Sequence, residues 1–504
     1  MTPIFPSSLL NAFKATPTIP AFEHGSRVVT RGQVLDLVSR YVGGLSAIDS
    51  SLGPGDSIAI YTGVTPEGFA VQVAAHVLGL RVVSLKPGIA TSELPTVVAD
   101  TKVLIIDETT RAEIESAPSL APSVIRVESL SGDTAILTPQ GRPHDVALVL
   151  YTSGTTGGPK GVEYTYEAMT ASWVWQRSAW DASTECMGAK YERFMLFGTL
   201  ASTVMFEHLG LCLTGGGTAV IPNTPLPLLK FPDVLAELRI SAVLFTVPRL
   251  YHVLEVLKSN TSDFDLSHLR SIVVSGSTVP PQKLRGAIER LGDIVHNGYG
   301  MSETGLVCLL SSADVAAYPE AASSVGRPWT GVEIQVRDDN GVKVPLGTVG
   351  HVWVWCPSAF RSYTNEDSSA VLDVEGWIWT RDLGSLDEMG FVYLTGRARD
   401  IVIINANVYH AGAIENALTE HPDVDSAYVV SVPDDKIGEA AVAFLSITLK
   451  GRAPNLDALR ELVRNKVSPA AVPISFTTVD SVPIAPSGKP DKQALLKLYN
   501  TRES

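Results

Sequence analysis

The sequence lacks several features that would assign it to a class at once. It has four cysteines in 504 residues and no CxxC pair, which argues against a disulfide framework and against a zinc site. Its formal net charge of −14 argues against nucleic acid, whose partners concentrate Lys and Arg. No apolar run approaches the roughly 18 residues that a membrane span needs, and the start shows no basic segment followed by an apolar one. We therefore expect a cytoplasmic protein without a membrane span.

The composition that is present indicates a large globular protein. Hydrophobic residues make up 45% and charged residues 18% of the chain, and its length exceeds what one hydrophobic core usually supports. Apolar runs at 58–61 and 81–85, and again at 242–246 and 271–275, alternate with helical patterns. This alternation is typical of βαβ units. The sequence predicts an α/β fold with a large N-terminal region of βαβ subdomains.

The pattern changes in the last third of the chain. Between 326 and 395, Gly, Pro and Asp turns separate short β-rich runs, which predicts a small, distorted β-barrel. The segment 401–504 alternates helices and strands, and its size suits an independent α+β lid. We therefore predict an N-terminal domain over 1–398, a hinge at Arg399 and Asp400, and a mobile C-terminal lid domain over 401–504.

A loop rich in hydroxyls and glycines follows the apolar run at 146–150. It reads Tyr-Thr-Ser-Gly-Thr-Thr-Gly-Gly-Pro-Lys-Gly over 151–161. Glycines let backbone N–H groups turn inward, and hydroxyls and a lysine add donors, so the loop suits phosphate. It is not a Walker A loop, because Pro precedes the lysine and Gly follows it. A flexible linker is the disfavoured alternative. The predicted phosphate-binding residues are Thr152, Ser153, Gly154, Thr155, Thr156 and Lys160.

A second segment, 296–305, reads His-Asn-Gly-Tyr-Gly-Met-Ser-Glu-Thr-Gly. Two glycines flank Tyr299, so a flat base can stack on the ring while the backbone comes close. The carboxylate of Glu303 is a ligand that hard cations prefer. The alternative is a plain helix start, with Ser302 as the N-cap and Glu303 in the first turn.

Two further segments are weak when each is taken alone. The first is Trp-Thr-Arg-Asp-Leu-Gly at 379–384, followed by Gly-Arg-Ala-Arg-Asp at 396–400; an Asp before a Gly turn is common. The second is Pro-Ser-Gly-Lys-Pro at 486–490, where a lysine in a Gly/Pro loop is usually a solvated surface residue. Their order along the chain, after the two segments above, gives them weight.

Together the four segments resemble the signatures of the adenylate-forming superfamily, which includes acyl-CoA synthetases, luciferase-like enzymes and adenylation domains of peptide synthetases. The resemblance runs over almost the whole chain. It implies that a carboxylate displaces pyrophosphate from ATP·Mg²⁺ to give an acyl-adenylate, and that the thiol of coenzyme A then takes the acyl group. The roles that the resemblance implies are adenine and ribose binding by Ser275, Gly276, Ser277, Asn297, Gly298, Tyr299, Asp382 and Arg397, and catalysis by Lys489, Thr304 and Glu303, with Glu303 also on the metal.

The role that the resemblance gives to Lys489 has a physical basis. A carboxylate attacking a polyanionic phosphate meets charge repulsion, and a cation between the two stabilises the transition state. The acyl pocket is expected to include Thr246, Tyr251, Gly298 and Met301, and we lean toward an apolar acid that is aryl, fatty or polycyclic.

Two departures from the family pattern concern the acid and the acceptor. Small residues replace a His-containing segment at 197–201, which predicts a roomier acyl cavity. The segment 405–410, Asn-Ala-Asn-Val-Tyr-His, lacks the glycine that lets backbone approach the pantetheine arm of the thiol. The second half-reaction is therefore less strongly supported by the sequence than the first.

Several alternatives stay open at this point. The acyl group could pass to a carrier-protein phosphopantetheine, and a luciferase-like oxygenase would share the first step. A non-catalytic binding or scaffold relative would be expected to lose Lys489, Glu303 or Asp382, and all three are present. A monomer or a homodimer is expected.

Overall fold

The protein is described by a computed structural model. It describes residues 3–117, 120, 122–153, 159–223, 226–258, 264–277, 279–364, 366–398, 400–405, 407–434, 436–447, 453–479, 482–483 and 490–503, with the backbone alone at 152, 153, 159, 438, 502 and 503. Three predicted features lie outside this part of the chain, namely Lys489, Arg399 and the stretch 154–158 that includes Gly154, Thr155 and Thr156.

Helices and strands alternate along most of the described chain. The helices are α1 (Ser7–Ala15), α2 (Arg31–Ile48), α3 (Pro66–Val77), α4 (Leu94–Val97), α5 (Arg111–Glu115), α6 (Tyr166–Ala171), α7 (Ala182–Ala189), α8 (Thr203–Gly215), α9 (Asp233–Glu237), α10 (Val247–Lys258), α11 (Pro281–Leu291), α12 (Ser312–Ala317), α13 (Ala411–Leu418), α14 (Leu456–Lys466) and α15 (Lys492–Glu503). The strands are β1 (Pro20–His24), β2 (Arg27–Thr30), β3 (Ser57–Tyr61), β4 (Arg81–Ser84), β5 (Val103–Ile106), β6 (Ser123–Arg126), β7 (Val146–Ser153), β8 (Pro159–Thr165), β9 (Arg193–Met195), β10 (Thr218–Ile221), β11 (Ala242–Phe245), β12 (Ser271–Val274), β13 (Val295–Met301), β14 (Gly305–Ser311), β15 (Arg327–Pro328), β16 (Glu333–Arg337), β17 (Gly350–Trp355), β18 (Ser362–Tyr363), β19 (Ile378–Leu386), β20 (Val392–Arg397), β21 (Ile401–Ile404), β22 (Asn407–His410), β23 (Val424–Asp434), β24 (Gly438–Ile447) and β25 (Ser475–Thr478).

Two large sheets form the N-terminal region, and both are mostly parallel. One has the order β15-β14-β13-β12-β11-β9-β10-β1-β2, and the other β18-β8-β7-β4-β3-β5-β6. In the second sheet, β3 to β7 run parallel and β8 returns antiparallel to β7. The predicted α/β class is confirmed. The apolar runs that predicted strands at 58–61, 81–85, 242–246 and 271–275 correspond to β3, β4, β11 and β12.

The largest apolar cluster takes residues from both large sheets and from α2, α3 and α8. Helix α8 is buried along almost its whole length, which explains why its sequence is apolar on all sides. Glu207, His208 and Thr214 are exceptions, because they are charged or polar residues buried in this apolar helix. A second cluster packs on the opposite face of the nine-stranded sheet and includes α10 and α11.

The segment 326–395, predicted as a small, distorted β-barrel, contains an antiparallel sheet. Strands β16, β17, β19 and β20 pair in that order. Among the described residues, β16 does not pair with β20. The Gly, Pro and Asp turns of the sequence indicated the short strands, whereas the order of the strands depends on pairing between distant parts of the chain.

The C-terminal unit has its own sheet, in the order β22-β21-β24-β23, with β25 beside β24. In the part of the chain described, these strands pair only with one another. The unit touches the rest of the chain where Gln282 Nε2 donates to the Glu420 carbonyl at 3.0 Å and where Lys283 pairs with Asp425. No described helix is both long and apolar enough to span a membrane.

Candidate active site

The predicted adenine-binding residues meet at the ends of two neighbouring strands. Strands β12 and β13 run parallel, and Asn297 lies opposite Val274 in their register. Because Ser275, Gly276 and Ser277 continue directly from Val274, the fold places that segment beside the buried Asn297. Gly276 has a φ of +99°, a conformation that glycine adopts without strain. The site therefore begins at the carboxyl edge of the nine-stranded sheet.

Three of the residues predicted to bind adenine and ribose are in direct contact. The Tyr299 hydroxyl donates to Asp382 Oδ2 at 2.5 Å, and Arg397 Nε lies 3.1 Å from Asp382 Oδ1. Asp382 and Arg397 are opposite each other in the β19–β20 register, which explains how residues 15 positions apart meet. Burial and the Asp382 charge hold the pKa of Tyr299 well above its ordinary value, so the phenol keeps its proton and donates.

The segment that carries Glu303 and Thr304 is a turn between two strands. Residues 302–304 join β13 to β14, and Met301 pairs with Gly305 across the hairpin. The alternative of a helix start with Ser302 as its cap is therefore wrong. The sequence suggested a helix start because Ser followed by Glu is common there. The apolar segment 305–311 instead forms the second strand of a hairpin with β13.

The backbone of this turn is bonded to several parts of the fold. The hydroxyl of Tyr164, on β8, donates to the Ser302 carbonyl. The Phe360 N–H donates to the Glu303 carbonyl at 2.7 Å, and the Cys356 thiol lies 3.8 Å from the Thr304 carbonyl. Because all three carbonyls have partners, the side chains of Glu303 and Thr304 project from a fixed backbone.

Glu207, on α8, supports the same hairpin from below. Its Oε2 accepts from the Leu306 N–H at 3.0 Å. A Cβ on Gly305 would lie 2.0 Å from Glu207 Oε1, and Gly305 has a φ of +74°, so both contact and conformation require glycine there. Burial raises the pKa of the Glu207 carboxyl to about 8. This side chain is thus a mostly neutral acid at pH 7.

A cavity next to Glu207 has predominantly apolar walls. It lies under the Thr304–Gly305 turn, between α6, α8 and β7. The space inside it that is open to the centre of a water-sized sphere is about 30 Å³, which is enough for a water molecule and far less than an acyl chain needs. The apolar side chains that line it are Leu148, Leu150, Ala168, Met169, Val174, Trp175 and Phe206.

Lys160, predicted to bind phosphate, lies between a carboxylate and an aromatic ring. Its Nζ is 2.6 Å from Glu366 Oε2 and 3.2 Å from the centroid of the Tyr363 ring. The Tyr363 hydroxyl donates to Glu303 Oε1 at 2.6 Å. Lys160 is opposite Thr152 in the β7–β8 register, so the backbone of Thr152 and Ser153 belongs to the strand that precedes the predicted phosphate-binding loop.

The four residues predicted for the acyl pocket are not brought together as a group. Met301 packs against the large cluster that contains α8, whereas Tyr251 packs against the cluster on the other face of the sheet. Gly298 faces Val273 and Leu306, and Thr246 is exposed at the end of β11. The reason is that α8 and α10 cover opposite faces of one sheet, which linear spacing does not reveal.

Asp400, predicted as a hinge residue, is hydrogen-bonded to the C-terminal unit. Its carbonyl accepts from the Ala411 N–H at 2.9 Å, and its carboxylate pairs with Lys492, on α15. Lys492 Nζ also lies 2.7 Å from Glu415 Oε1. The missing glycine at 405–410 is explained by the backbone conformation of Asn405. Its φ is +51°, and Asn is among the residues that tolerate the left-handed region best after glycine.

Sequence reasoning missed Tyr363, Glu207 and Lys492. Tyr363 could not be picked out from the sequence, because the residues around it are polar and show no apolar periodicity. Glu207 could have been found. An acidic residue inside an otherwise apolar helical run is expected to be buried, and a buried carboxyl group indicates a candidate site.

Comparison with known proteins agrees with this arrangement. A family model described as AMP-binding enzyme matches residues 10–364, and one described as AMP-binding enzyme C-terminal domain matches residues 413–489. The chain belongs to the AMP-binding enzyme family. As a member of this family it is an AMP-forming acid–thiol ligase, which activates a carboxylic acid as its adenylate and then forms a thioester.

Relatives of this family resemble the chain over nearly its full length. It is 28% identical to the medium/long-chain-fatty-acid–CoA ligase FadD8 of Mycobacterium tuberculosis, over 97% of this chain and 88% of that protein. It is 28% identical to the fatty acid–[acyl-carrier-protein] ligase ScoC of Streptomyces coeruleorubidus, over 94% of this chain and 92% of that protein. Among solved structures, the amide bond synthetase McbA of Marinactinospora thermotolerans gives a TM-score of 0.84 at 28% identity, covering 97% of this chain and 99% of that one.

Proposed function

We propose that the chain activates an apolar carboxylic acid, fatty or aryl, with Mg·ATP and transfers the acyl group to coenzyme A. The observation that carries the choice of acid is the apolar lining of the small cavity under the Thr304–Gly305 turn, which would have to widen to admit an acyl chain. Apolar walls favour an acid of the same character. The names of FadD8 and ScoC agree with a fatty acid.

The nucleotide lies along the carboxyl edge of the nine-stranded sheet in this proposal. Asp382 accepts hydrogen bonds from the ribose hydroxyls and Arg397 supports it, because both side chains already meet there. Asn297 and the segment 275–277 hold the adenine. Lys160 and the loop at 152–156 take the phosphates. The site thus extends from a neutral sugar at one end to a polyanion at the other.

The residues present suit a magnesium ion at the phosphate end. Mg²⁺ is usually held by one or two carboxylates together with substrate phosphates and water. Glu303 supplies one carboxylate on a fixed turn, with its Oε1 oriented by the Tyr363 hydroxyl. No group of three or more metal-ligating residues occurs among the described residues, which fits an ion shared with ATP. Bound there, the ion would neutralise charge on the phosphates.

Catalysis then depends on positioning and charge rather than on a covalent enzyme intermediate. The acid carboxylate attacks the α-phosphorus, the bond from the α-phosphorus to the bridging oxygen breaks, and pyrophosphate leaves. Lys489 lies between the two anions in this first step, and Lys160 and Thr304 bind the departing phosphates. In the second step a thiol attacks the acyl carbon and AMP departs with the bridging oxygen.

The domain division supports a lid that serves both steps. We propose that 401–504 rotates about residues 399–400, because its five strands form a sheet of their own. Gly396 and Gly412 come close to each other, since a Cβ added to Gly412 would lie 3.1 Å from the Gly396 Cα, and such a rotation has to release this contact.

A second acceptor is favoured by one comparison. The likeness to the amide bond synthetase McbA extends over 97% of this chain, and the segment 405–410 departs from the thioester-forming pattern. An amine is therefore a candidate acceptor for the same acyl-adenylate.

The test is pyrophosphate release with Mg·ATP and a panel of aliphatic, aromatic, polycyclic and amino acids. Each acid is run alone, with coenzyme A, with a pantetheinylated carrier protein and with a simple amine, and products are identified by mass. We expect an acyl-CoA from one apolar acid class. An amide or an acyl-carrier product in place of the acyl-CoA would show that the acceptor is an amine or a carrier protein and not coenzyme A. Activation of amino acids alone would overturn the proposed substrate.

A further inference from the structure

One aromatic side chain touches both charged groups at the phosphate end. The Tyr363 ring lies under the Lys160 ammonium, with Nζ 3.2 Å from the ring centroid. Its hydroxyl donates to Glu303 Oε1 at 2.6 Å. These are the two side chains to which the proposed function assigns the ATP phosphates and the metal ion, so a single residue links both assignments.

Tyr363 is held firmly enough to fix its neighbours. It is 7% exposed, and it pairs with Val162 where β18 adds to the edge of β8. Its ring packs 4.7 Å from the Phe360 ring, and its N–H donates to Ser368 Oγ at 2.9 Å. With backbone and ring both anchored, the hydroxyl and the ring face have defined positions.

The approach of β18 to β8 continues beyond Tyr363 and depends on a glycine. The Thr364 N–H donates to the Gly161 carbonyl at 2.9 Å. A Cβ on Gly161 would lie 2.5 Å from Thr364 Oγ1. Gly161, which directly follows Lys160, thus lets the loop with Tyr363 reach the strand that carries the lysine.

The chemistry of tyrosine suits this position. An ammonium and a carboxylate near each other tend to form a direct ion pair, which would neutralise both charges before ATP arrives. The ring face takes the ammonium through a cation–π contact, and the hydroxyl takes the carboxylate through a charge-assisted hydrogen bond. Each charge is thereby oriented without being neutralised by the other.

Lys160 also pairs with Glu366. Glu366 Oε2 lies 2.6 Å from its Nζ, and the Glu366 side chain is 40% exposed. A phosphate oxygen can replace such an accessible carboxylate at the ammonium. The ring of Tyr363 is buried and cannot be displaced in the same way. We therefore expect its contact with Lys160 to remain when ATP binds.

We propose that Tyr363 is a positioning residue that holds Lys160 and Glu303 apart in the geometry that Mg·ATP requires. The inference rests on the proposed function of those two residues. It adds that the affinity for magnesium and the affinity for ATP phosphates are separately adjustable through the hydroxyl and through the ring.

The experiment measures ATP binding by calorimetry over a series of Mg²⁺ concentrations, so that no acid substrate is needed. Tyr363→Phe keeps the ring and removes the hydroxyl. We expect the Mg²⁺ concentration for half-maximal ATP binding to rise about tenfold, as for loss of a hydrogen bond to a charged group. ATP affinity at saturating Mg²⁺ should change less than about threefold, because the cation–π contact remains. Tyr363→Leu should weaken both.

The matched control is Tyr318→Phe, which removes a tyrosine hydroxyl in another region, where the ring packs against Phe391. Melting temperatures of both Phe variants are compared with wild type. A double-mutant cycle then combines Tyr363→Phe with Glu303→Gln. If the hydroxyl acts through Glu303, its removal has no further effect on Mg²⁺ dependence in the Glu303→Gln background.

Two different failures are distinguishable. If Glu303→Gln shifts the Mg²⁺ dependence but Tyr363→Phe shifts it no more than Tyr318→Phe, the role of Tyr363 is overturned while the proposed site stands. The same holds if Tyr363→Phe acts equally in the Glu303→Gln background. If Glu303→Gln leaves the Mg²⁺ dependence unchanged, the metal assignment fails and the inference fails with it.

Discussion

The residues proposed to bind the ribose and those proposed to bind the phosphates hold their charged side chains in different ways. Asp382 and Arg397, proposed for the ribose, pair directly at 3.1 Å. Lys160 and Glu303, proposed for the phosphates and the metal ion, both contact Tyr363, one at its ring face and the other at its hydroxyl, while Lys160 pairs with the accessible Glu366 at 2.6 Å. In the proposed function, a neutral sugar would share a carboxylate that is already paired. A metal-bound polyphosphate would meet a cation and a carboxylate that have not neutralised each other.

Two buried carboxyl groups differ in whether they have a cationic partner. Asp382 has a guanidinium and a phenol as partners, whereas Glu207 accepts one backbone N–H, and burial raises its pKa to about 8. Burial without a cationic partner favours the protonated form of Glu207. Asp382 is the side chain proposed for ligand contact, whereas Glu207 contacts the backbone of the hairpin.

The largest effect is expected at Lys489, which the proposed mechanism assigns to the space between the acid and the phosphate. Lys489→Ala should lower pyrophosphate release about 10²- to 10³-fold, the usual loss when one preorganised charge is removed from a reacting centre. Transfer from a supplied acyl-adenylate should change far less, since that step no longer brings two anions together. Stopped-flow or quenched single-turnover assays of the two steps make the comparison. Equal loss in both steps would contradict the assigned role.

Two variants test the division of the proposed site into a ribose part and a phosphate part. Lys160→Met should lower mainly kcat, because the leaving pyrophosphate gains charge in the transition state. Asp382→Asn should raise mainly the KM for ATP, because the ribose is bound equally before and during the reaction. We expect about tenfold or more in each parameter. Steady-state kinetics in ATP gives both values, and the same split in both variants would refute the division of the site.

Glu207 gives a smaller effect that depends on pH. Its carboxyl has a raised pKa in the folded state, near 8 against 4.5 for the ordinary group. Ionisation therefore destabilises the fold progressively as pH rises from 4.5 through 8. Glu207→Gln retains the acceptor for Leu306 but cannot ionise, so its melting temperature should gain on wild type between pH 5 and pH 8.5.

The control for this measurement is Glu289→Gln on the exposed side of α11, which should follow wild type at every pH. A Glu207→Gln curve that runs parallel to wild type would show that Glu207 is charged in the fold.

The smallest effect is expected at Asn405. Asn405→Gly keeps access to the left-handed conformation seen there, φ +51°, so stability should change by less than about 1 kcal/mol. Asn405→Val should cost more, because a β-branched residue resists positive φ. Urea unfolding of the two variants tests the conformation, and equal stabilities would contradict it.

Features that depend on neighbouring residues could be predicted from the sequence, whereas features that depend on distant residues could not. Strands β3, β4, β11 and β12 followed from apolar runs, while the contact between Asp382 and Arg397 comes from strand pairing in the structure. The strand order within 326–395 could not be predicted, because it is decided by pairing between residues far apart. Tyr363 was missed for the same reason, since its two contacts are with residues about 60 and 200 positions away. The acyl pocket stays a prediction; Met301 and Tyr251 pack against different apolar clusters, which linear spacing does not reveal.

One labelling experiment tests the central claim, acid activation as an adenylate, most directly. The acid that gives an acyl-CoA is prepared with ¹⁸O in both carboxylate oxygens and turned over with ATP and coenzyme A. Attack on the α-phosphorus followed by thiol attack on the acyl carbon leaves one carboxylate oxygen on AMP, so mass spectrometry should find AMP carrying a single ¹⁸O. Unlabelled AMP, or label in inorganic phosphate accompanied by ADP, would contradict it.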